Sequence, residues 1–474
     1  LSSLLTLVDQ NHISGSDWPE YQRAGQKMRR YFLGATAIAL ALGVTGAAYA
    51  GGWTIIQAGT LLDQPGKPPR VQASLLIHDD KIAAVKAGFL TAADFPETAG
   101  QTVRVIDLTK SFVMPGLIDC HVHISHQLSP TRQMEAVVKF PEDTALDAAM
   151  FADRTLQAGF TTVRDLGESD HSALSLRDAI EAGKLPGPSI LAAGHMISIT
   201  AGHGDVNGFN DPVTEALHSN AVCDGADACR KAVREQIKRG ADVIKIATTG
   251  GVLSQIAVGT GQQMFPDEIK AVVDTAHLMG KKVAAHAHAA AGINAALIGG
   301  VDSVEHGSYL DDEAVANFKK TGAYLVPTLI AGAYVAEMAD KPGAMSKAVA
   351  DKARAVGAIM QTNFGKAVKA DVKVAFGTDT GVSPHGQNAR EFKLLVKSGM
   401  TPAAALKSAT VNAAELLDRS HRIGTLEAGK DADIIAIDQS PLEDISALES
   451  VGFVMRRGTV HKLGGQHQAF DNTL

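Results

Sequence analysis

Positive charge is in short supply in this chain of 474 residues. Lysine and arginine total 44 against 51 acidic residues, a net charge of −7. That balance excludes the basic patch a nucleic-acid surface normally requires. Aromatic residues make up only 5% of the chain, too few for a platform on which bases stack. Three cysteines allow at most one internal bridge. No G-x-G-x-x-G follows a first strand, which weakens an open dinucleotide-binding sheet. What remains is the composition of a globular protein: 45% hydrophobic, 20% charged and rich in Ala and Gly. Small residues of this kind suit close helix–strand packing.

One apolar run stands apart. "MRRYFLGATAIALALGVTGAAYA", residues 28–50, has a charged start, an apolar stretch of small residues and Ala48-Tyr49-Ala50. This is the pattern of a signal peptide. The alternative is a membrane anchor, but the run from Tyr31 to Ala48 is of marginal length for one. Residues 1–27 precede the first methionine and read as a non-native or disordered leader, with the mature chain starting near Gly51. The expectation is an exported protein, periplasmic or secreted, with no stable membrane insertion. In an oxidising compartment Cys223 and Cys229, in "CDGADAC", can pair; two free thiols are the alternative. Cys120 reads as a core residue.

Short β-type segments open the mature chain and recur near its end, in "DADIIAID" and "SVGFVMRRGTVHKL". They predict a small β-sandwich domain built from both termini, residues 51–115 with 422–466. Between them eight short apolar segments alternate with helical patterns: 116–124, 160–166, 189–194, 242–248, 282–288, 302–307, 323–328 and 372–379. Strands buried on both faces and separated by helices mean a parallel sheet. Eight such units predict an α/β fold, a (β/α)8 TIM barrel over 116–421. Two connections, 195–240 and 329–371, are long and belong to the active face of such a barrel.

The chemistry gathers at the C-terminal ends of these strands. In "VMPGLIDCHVHIS" His121 and His123 point to one side, because strand side chains alternate. Alone, an H-x-H pair is weak evidence for a metal. Lys245, in "DVIKIAT", sits between isoleucines, where an ammonium is costly. It must lose its charge and become nucleophilic, able to take up CO2 as a carbamate, or pair with a carboxylate such as Asp379. His286 and His288 again share a face. His306 follows Glu305, which should face outward. Asp379 ends the last strand in "FGTDTG". Four imidazoles, a carbamate and a carboxylate can hold two divalent ions, which generate hydroxide at neutral pH and polarise a carbonyl. Asp119 reads as an inward support one layer below, and His126 and His195 as structural or surface residues.

H-x-H after "MPGLID", strand-borne Lys245, His286, His306 and "GTD" together resemble the metal-dependent amidohydrolase superfamily. The flanking "AHAH", "VEHG", "GTDTG", "TVNAAELL" and "GTLEAGKDADIIAID" resemble its peptidase-like branch: Xaa-Pro dipeptidases, arginine/lysine carboxypeptidases and ochratoxin-hydrolysing amidases. The resemblance covers about residues 52–465. It implies that His121, His123 and Asp379 bind the more buried metal, and His286 and His306 the second. Lys245, carboxylated by CO2, bridges the two ions, with zinc as the expected metal. Asp379 also shuttles the proton from a bridging hydroxide to the leaving amine. His288 is expected to touch the substrate or the oxyanion, and so to take part in catalysis. His203, in "AGHGD", and His385, in "SPHGQN", are expected as substrate contacts. A tyrosine placed to polarise the carbonyl is not identifiable; "GTGQQMFPDE" has Met264 and Phe265.

The implied activity is cleavage of an amide bond in a dipeptide or N-acyl amino acid, releasing a C-terminal amino acid, in an enzyme that forms a homo-oligomer as its relatives do. Within the superfamily, hydrolysis of a cyclic amide or deamination is the alternative. An exported solute-binding protein is the alternative of another class.

Overall fold

The computed structural model describes residues 52–168, 170–254 and 259–470. The leader and the signal-peptide segment lie outside the described residues. Among the described residues no helix is long and apolar enough to cross a membrane.

Four strands open the chain: β1 (Trp53–Leu61), β2 (Arg70–His78), β3 (Lys81–Ala87) and β4 (Val103–Pro115). Seven short strands follow: β5 (Leu117–Val122), β6 (Phe160–Asp165), β7 (Ser189–Ala192), β8 (Ile244–Ala247), β9 (Val283–Ala287), β10 (Ser303–His306) and β11 (Tyr324–Val326). The last four are β12 (Ile434–Ile437), β13 (Phe453–Arg456), β14 (Thr459–Leu463) and β15 (Gln466–His467). Both termini contribute to one continuous sheet, in the order β15-β14-β13-β12-β4-β1-β2-β3. Hydrogen bonding is continuous through all eight strands. The sheet bends around one apolar cluster that includes Ile56, Leu75, Ile106, Ile434, Phe453 and Val460. The far edge returns to β12, since Ile82 N donates to Lys430 O and Ala432 N to Asp80 O.

The middle of the chain forms two parallel sheets, β5-β6-β7 and β11-β10-β9-β8. Every residue of these strands is buried except Ser189 at the start of β7. Double-sided burial is what continuous Val/Ile/Ala runs provide, and it requires helices on the outer face. Helices Pro141–Gln157 and Pro266–Leu278 supply two of these, where the sequence pattern places them.

Seven of the eight expected strands form. The eighth, 372–379, makes isolated bridges only, Leu325 with Val374 and Val122 with Thr380. The reason lies in its backbone partners. Phe376 N donates to Ser408 O, and Val374 O accepts from Asn412 Nδ2, so the π-helical turn Ser408–Asn412 takes groups a ladder would use. The segment still lies between β11 and β5: Leu325 N donates to Lys373 O, and Cys120 N to Phe376 O. On the other side, Asp242 N donates to Ala192 O and Ile197 N to Lys245 O, linking β7 to β8.

The two long connections are mostly helical. The first holds Asp211–Ala216 and Ala226–Arg239, and Cys223 and Cys229 form a disulfide within it. The second holds Leu329–Ala339 and Lys347–Lys369. These last two helices cross closely at Gly332 and Gly357. A Cβ on Gly357 would stand 2.9 Å from Gly332 O, and one on Gly332 would stand 2.4 Å from Met360 Sδ.

Candidate metal centre and active site

The expected ligands converge at the C-terminal strand ends. His121, His306 and Asp379 offer ligand atoms that all lie within 4.8 Å of one another. His286, His288 and His306 form a second such group, so His306 belongs to both. Asp379 Oδ1 stands 3.4 Å from His121 Nε2 and 3.3 Å from His123 Nε2. His288, expected as a substrate or oxyanion contact, thus has the position of a ligand as well.

Each imidazole is oriented by its other nitrogen, as metal-binding histidines require. His121 Nδ1 lies 2.9 Å from Glu305 Oε2, and His123 Nδ1 2.9 Å from Gly167 O. His306 Nδ1 meets Thr328 Oγ1 at 2.7 Å, and His288 Nδ1 meets Ser308 Oγ at 2.7 Å. His286 is turned the other way, with Nε2 3.3 Å from Gly250 O. That leaves Nε2 of His121, His123, His288 and His306, and Nδ1 of His286. Burial lowers the pKa of His121 and His288 to about 4, and those of His286 and His306 well below the usual value. These are neutral rings with lone pairs available to a cation. On His123 burial also opposes the charge, but Asp379 and Asp165 outweigh it and raise the pKa. Burial alone would raise the pKa of Asp379; His121, His123 and His306 outweigh it and hold the carboxyl well below its usual range.

Lys245 is 2% exposed, and its Nζ has no hydrogen-bond partner among the described residues. Burial lowers its pKa to about 8, against the pull of Glu305 and Asp379. The expected alternative, a pair with Asp379, is absent from the ion pairs of the described residues. A buried amine with no partner among the described residues, beside two groups of imidazoles, fits a metal site in which the lysine gives up its charge.

Backbone strain aims two of these side chains. His306 has φ 71° and Asp379 φ 57°, both in the left-handed region that non-glycine residues avoid. This corrects the expectation for Glu305. It is fully buried and reaches His121, because the left-handed turn at His306 ends the simple alternation of faces. Glu305 Oε1 accepts from Arg164 Nη2 at 3.0 Å and from Ser303 Oγ at 2.5 Å. Arg164 also donates to Cys120 O at 2.6 Å and to Ser303 Oγ at 3.2 Å. The sequence reading missed both residues. The available signal was a charged arginine inside the apolar strand "FTTVRDL", which burial obliges to find a carboxylate.

Asp119 is buried as expected, but its carboxylate serves a different neighbour. It accepts from Thr378 N and Oγ1, Asn388 Nδ2 and His121 N, and so holds the segment that carries Asp379. Pairing between β5 and β6 shifts between Asp119 and Val122, so Asp119 and His121 do not follow one alternation. Cys120 is a core residue beside Ile118 and Leu191. His203 packs against His286 with ring centroids 4.1 Å apart and planes tilted by 31°, and its Nδ1 lies 2.5 Å from Ser254 Oγ. His385 is placed differently from the expected substrate contact. Its ring stacks on Phe151, Nε2 meets His126 O at 3.0 Å and Nδ1 faces Thr155 Oγ1 at 3.5 Å, so both nitrogens are engaged within the protein. His126 stacks on His123, and His195 bonds Ser219 and Arg239 away from the cluster. Phe265 is exposed and Met264 buried, and neither offers the hydroxyl of a tyrosine.

The amidohydrolase family model matches residues 112–463, which span all of these side chains. The chain belongs to the amidohydrolase family. It is 34% identical over 430 residues to ochratoxinase from Aspergillus niger, covering 86% of each chain. It is similar to a Xaa-Pro dipeptidase solved with methionine bound in the active site: 40% identity, TM-score 0.81, 87% of this chain and 100% of that one. A prolidase complexed with N-methylphosphonate-L-proline is similar at 31% identity, TM-score 0.78, again over 87% and 100%. As a member of this family the protein is a metal-dependent hydrolase acting on amide bonds, and its described residues contain groups able to hold metal. These relatives place it in the peptidase-like branch. The family fold implies a TIM barrel with an added sheet domain.

Proposed function

We propose that this amidohydrolase binds two divalent ions and cleaves the amide bond of a dipeptide or N-acyl amino acid, releasing a C-terminal amino acid. The observation that carries the reading is the pair of ligand groups that share His306, with the orphaned Lys245 amine on β8, next to the strand that carries His286. His121, His123 and Asp379 would hold one ion, and His286 and His306, with His288 in reach, the other. Lys245, carboxylated by CO2, would supply the anionic bridge. The ions, zinc by preference of this donor set, would supply an activated water and a polarised carbonyl. Asp379 would carry a proton to the leaving amine, a role its position beside both His121 and His123 allows. His203, anchored at Nδ1, keeps Nε2 for the substrate carboxylate. The fold that supports this is a (β/α)8 barrel over 116–421, closed through 372–380 and Ile197, with the sheet of 51–115 and 422–466 beside it. We place the protein outside the reducing cytoplasm, as a homo-oligomer; the Cys223–Cys229 disulfide supports the compartment.

The test is metal analysis with a hydrolysis panel in the presence of bicarbonate. The panel should contain dipeptides, N-acyl amino acids, a cyclic amide and an amidine. Two ions per chain with turnover of linear amides is the expected result. One ion, or turnover confined to the cyclic amide or the amidine, would overturn it.

A further inference from the structure

Lys352 lies on the helix Lys347–Lys369, far in sequence from every ligand, yet it reaches the loop beneath two site histidines. Its Nζ donates to Gly251 O at 3.0 Å and to Ser254 O at 2.6 Å. No carboxylate among the described residues forms an ion pair with it. A lysine that spends its charge on two backbone carbonyls is tying down a turn.

That turn touches the site twice. Gly250 O faces His286 Nε2 at 3.3 Å, which directs Nδ1 of His286 toward the cluster. Ser254 Oγ meets His203 Nδ1 at 2.5 Å, which leaves Nε2 of His203. The turn also cradles the His203 ring: a Cβ on Gly251 would stand 2.2 Å from its Nδ1 and Cε1. On the other side the lysine's helix is braced by the close crossing at Gly332 and Gly357. The anchor is therefore rigid, and the turn it holds has no other cation on its carbonyls among the described residues.

We propose that Lys352 is a positioning residue that clamps the turn Gly250–Ser254, so that His203 presents Nε2 to the carboxylate of the substrate. This rests on the reading of the substrate as an amide bearing a free carboxylate. The helical insertion 329–371 thereby sets affinity for that carboxylate without touching the substrate.

The test compares wild type with Lys352→Met, which keeps the stem and removes the donors, with Lys352→Arg and with Ser254→Ala. Hydrogen exchange of peptides covering 250–254 is read first, without substrate. Faster exchange there in Lys352→Met, restored in Lys352→Arg, supports the clamp, and unchanged exchange overturns it. KM and kcat are then measured on an N-acyl amino acid and on its C-terminal amide. The expectation is a rise of about tenfold in KM for the free acid, the scale of one oriented hydrogen bond to a charged group, with kcat within threefold. KM for the amide should stay within twofold, and Ser254→Ala should copy the pattern. A KM unchanged for the acid, or raised equally for both substrates, overturns the role. Exchange needs no turnover, so a wild type that cleaves neither compound refutes the substrate reading and leaves the clamp judged by exchange.

Discussion

Replacing Arg164 by methionine isolates the most buried arginine–carboxylate pair among the described residues. Arg164 is 1% exposed and Glu305 fully buried, and the carboxylate is shared between Arg164, Ser303 and His121. Methionine fills much of the stem's volume but leaves the Glu305 charge without its cation. Breaking a buried pair from one side costs about 3–5 kcal/mol. Unfolding entropy of about 2.1 cal/mol/K per residue gives about 0.9 kcal/mol/K for roughly 420 residues melting as one unit. Arg164→Met should therefore lower Tm by about 3–6 °C. The melt belongs in chelator, because bound metal would add its own linkage to the folded state. Glu305→Gln should cost less, since its amide oxygen can still accept from Arg164 and Ser303 at the Oε1 position, while the acceptor facing His121 Nδ1 is lost. It should nonetheless weaken metal affinity by about 10–100-fold, the usual effect of altering the group that orients a ligand imidazole. The double variant should cost less than the two single changes together, because each removes the other's penalty. A Tm change under about 1 °C for Arg164→Met, or strict additivity, would refute the argument that this pair is a coupled, desolvated unit.

Asp379→Asn should retain metal in elemental analysis yet lose at least about 100-fold in kcat, the lower range for a proton-transfer group; near-normal turnover would remove it from that role. Prolonged chelation should abolish activity and lower Tm by about 3 °C for each ion removed, since an ion at a hundred times its Kd contributes about 2.7 kcal/mol, and added zinc should restore both. Reducing Cys223–Cys229 opens a loop of six residues' separation; chain entropy puts the loss at about 2 kcal/mol and the Tm shift at about 2–3 °C, measurable by melting with and without reductant.

The positions of the candidate ligands were legible because they follow local rules. Strand alternation pairs His121 with His123 and His286 with His288, and burial forces a question on Lys245 wherever its strand lies. Seven strands and the main helices follow from the same periodicity. The eighth does not, because its backbone groups are claimed by Ser408 and Asn412, more than 30 residues away. Glu305 was misread for a related reason: alternation fails where the backbone leaves the extended region, as it does at His306. The sheet drawn from both termini is another pairing decided at long range.

By itself, then, the sequence determined which residues could bind metal and in what order the strands deliver them. A period of two and the cost of buried charge are properties of a short segment. The tertiary structure alone decided what orients those residues: Glu305 and Arg164 behind His121, Thr328 behind His306, and Lys352 behind the turn at His203. Except for Thr328, these partners come from segments more than 40 residues apart. A buried polar group takes whichever partner the packing brings near, and no local pattern encodes that choice.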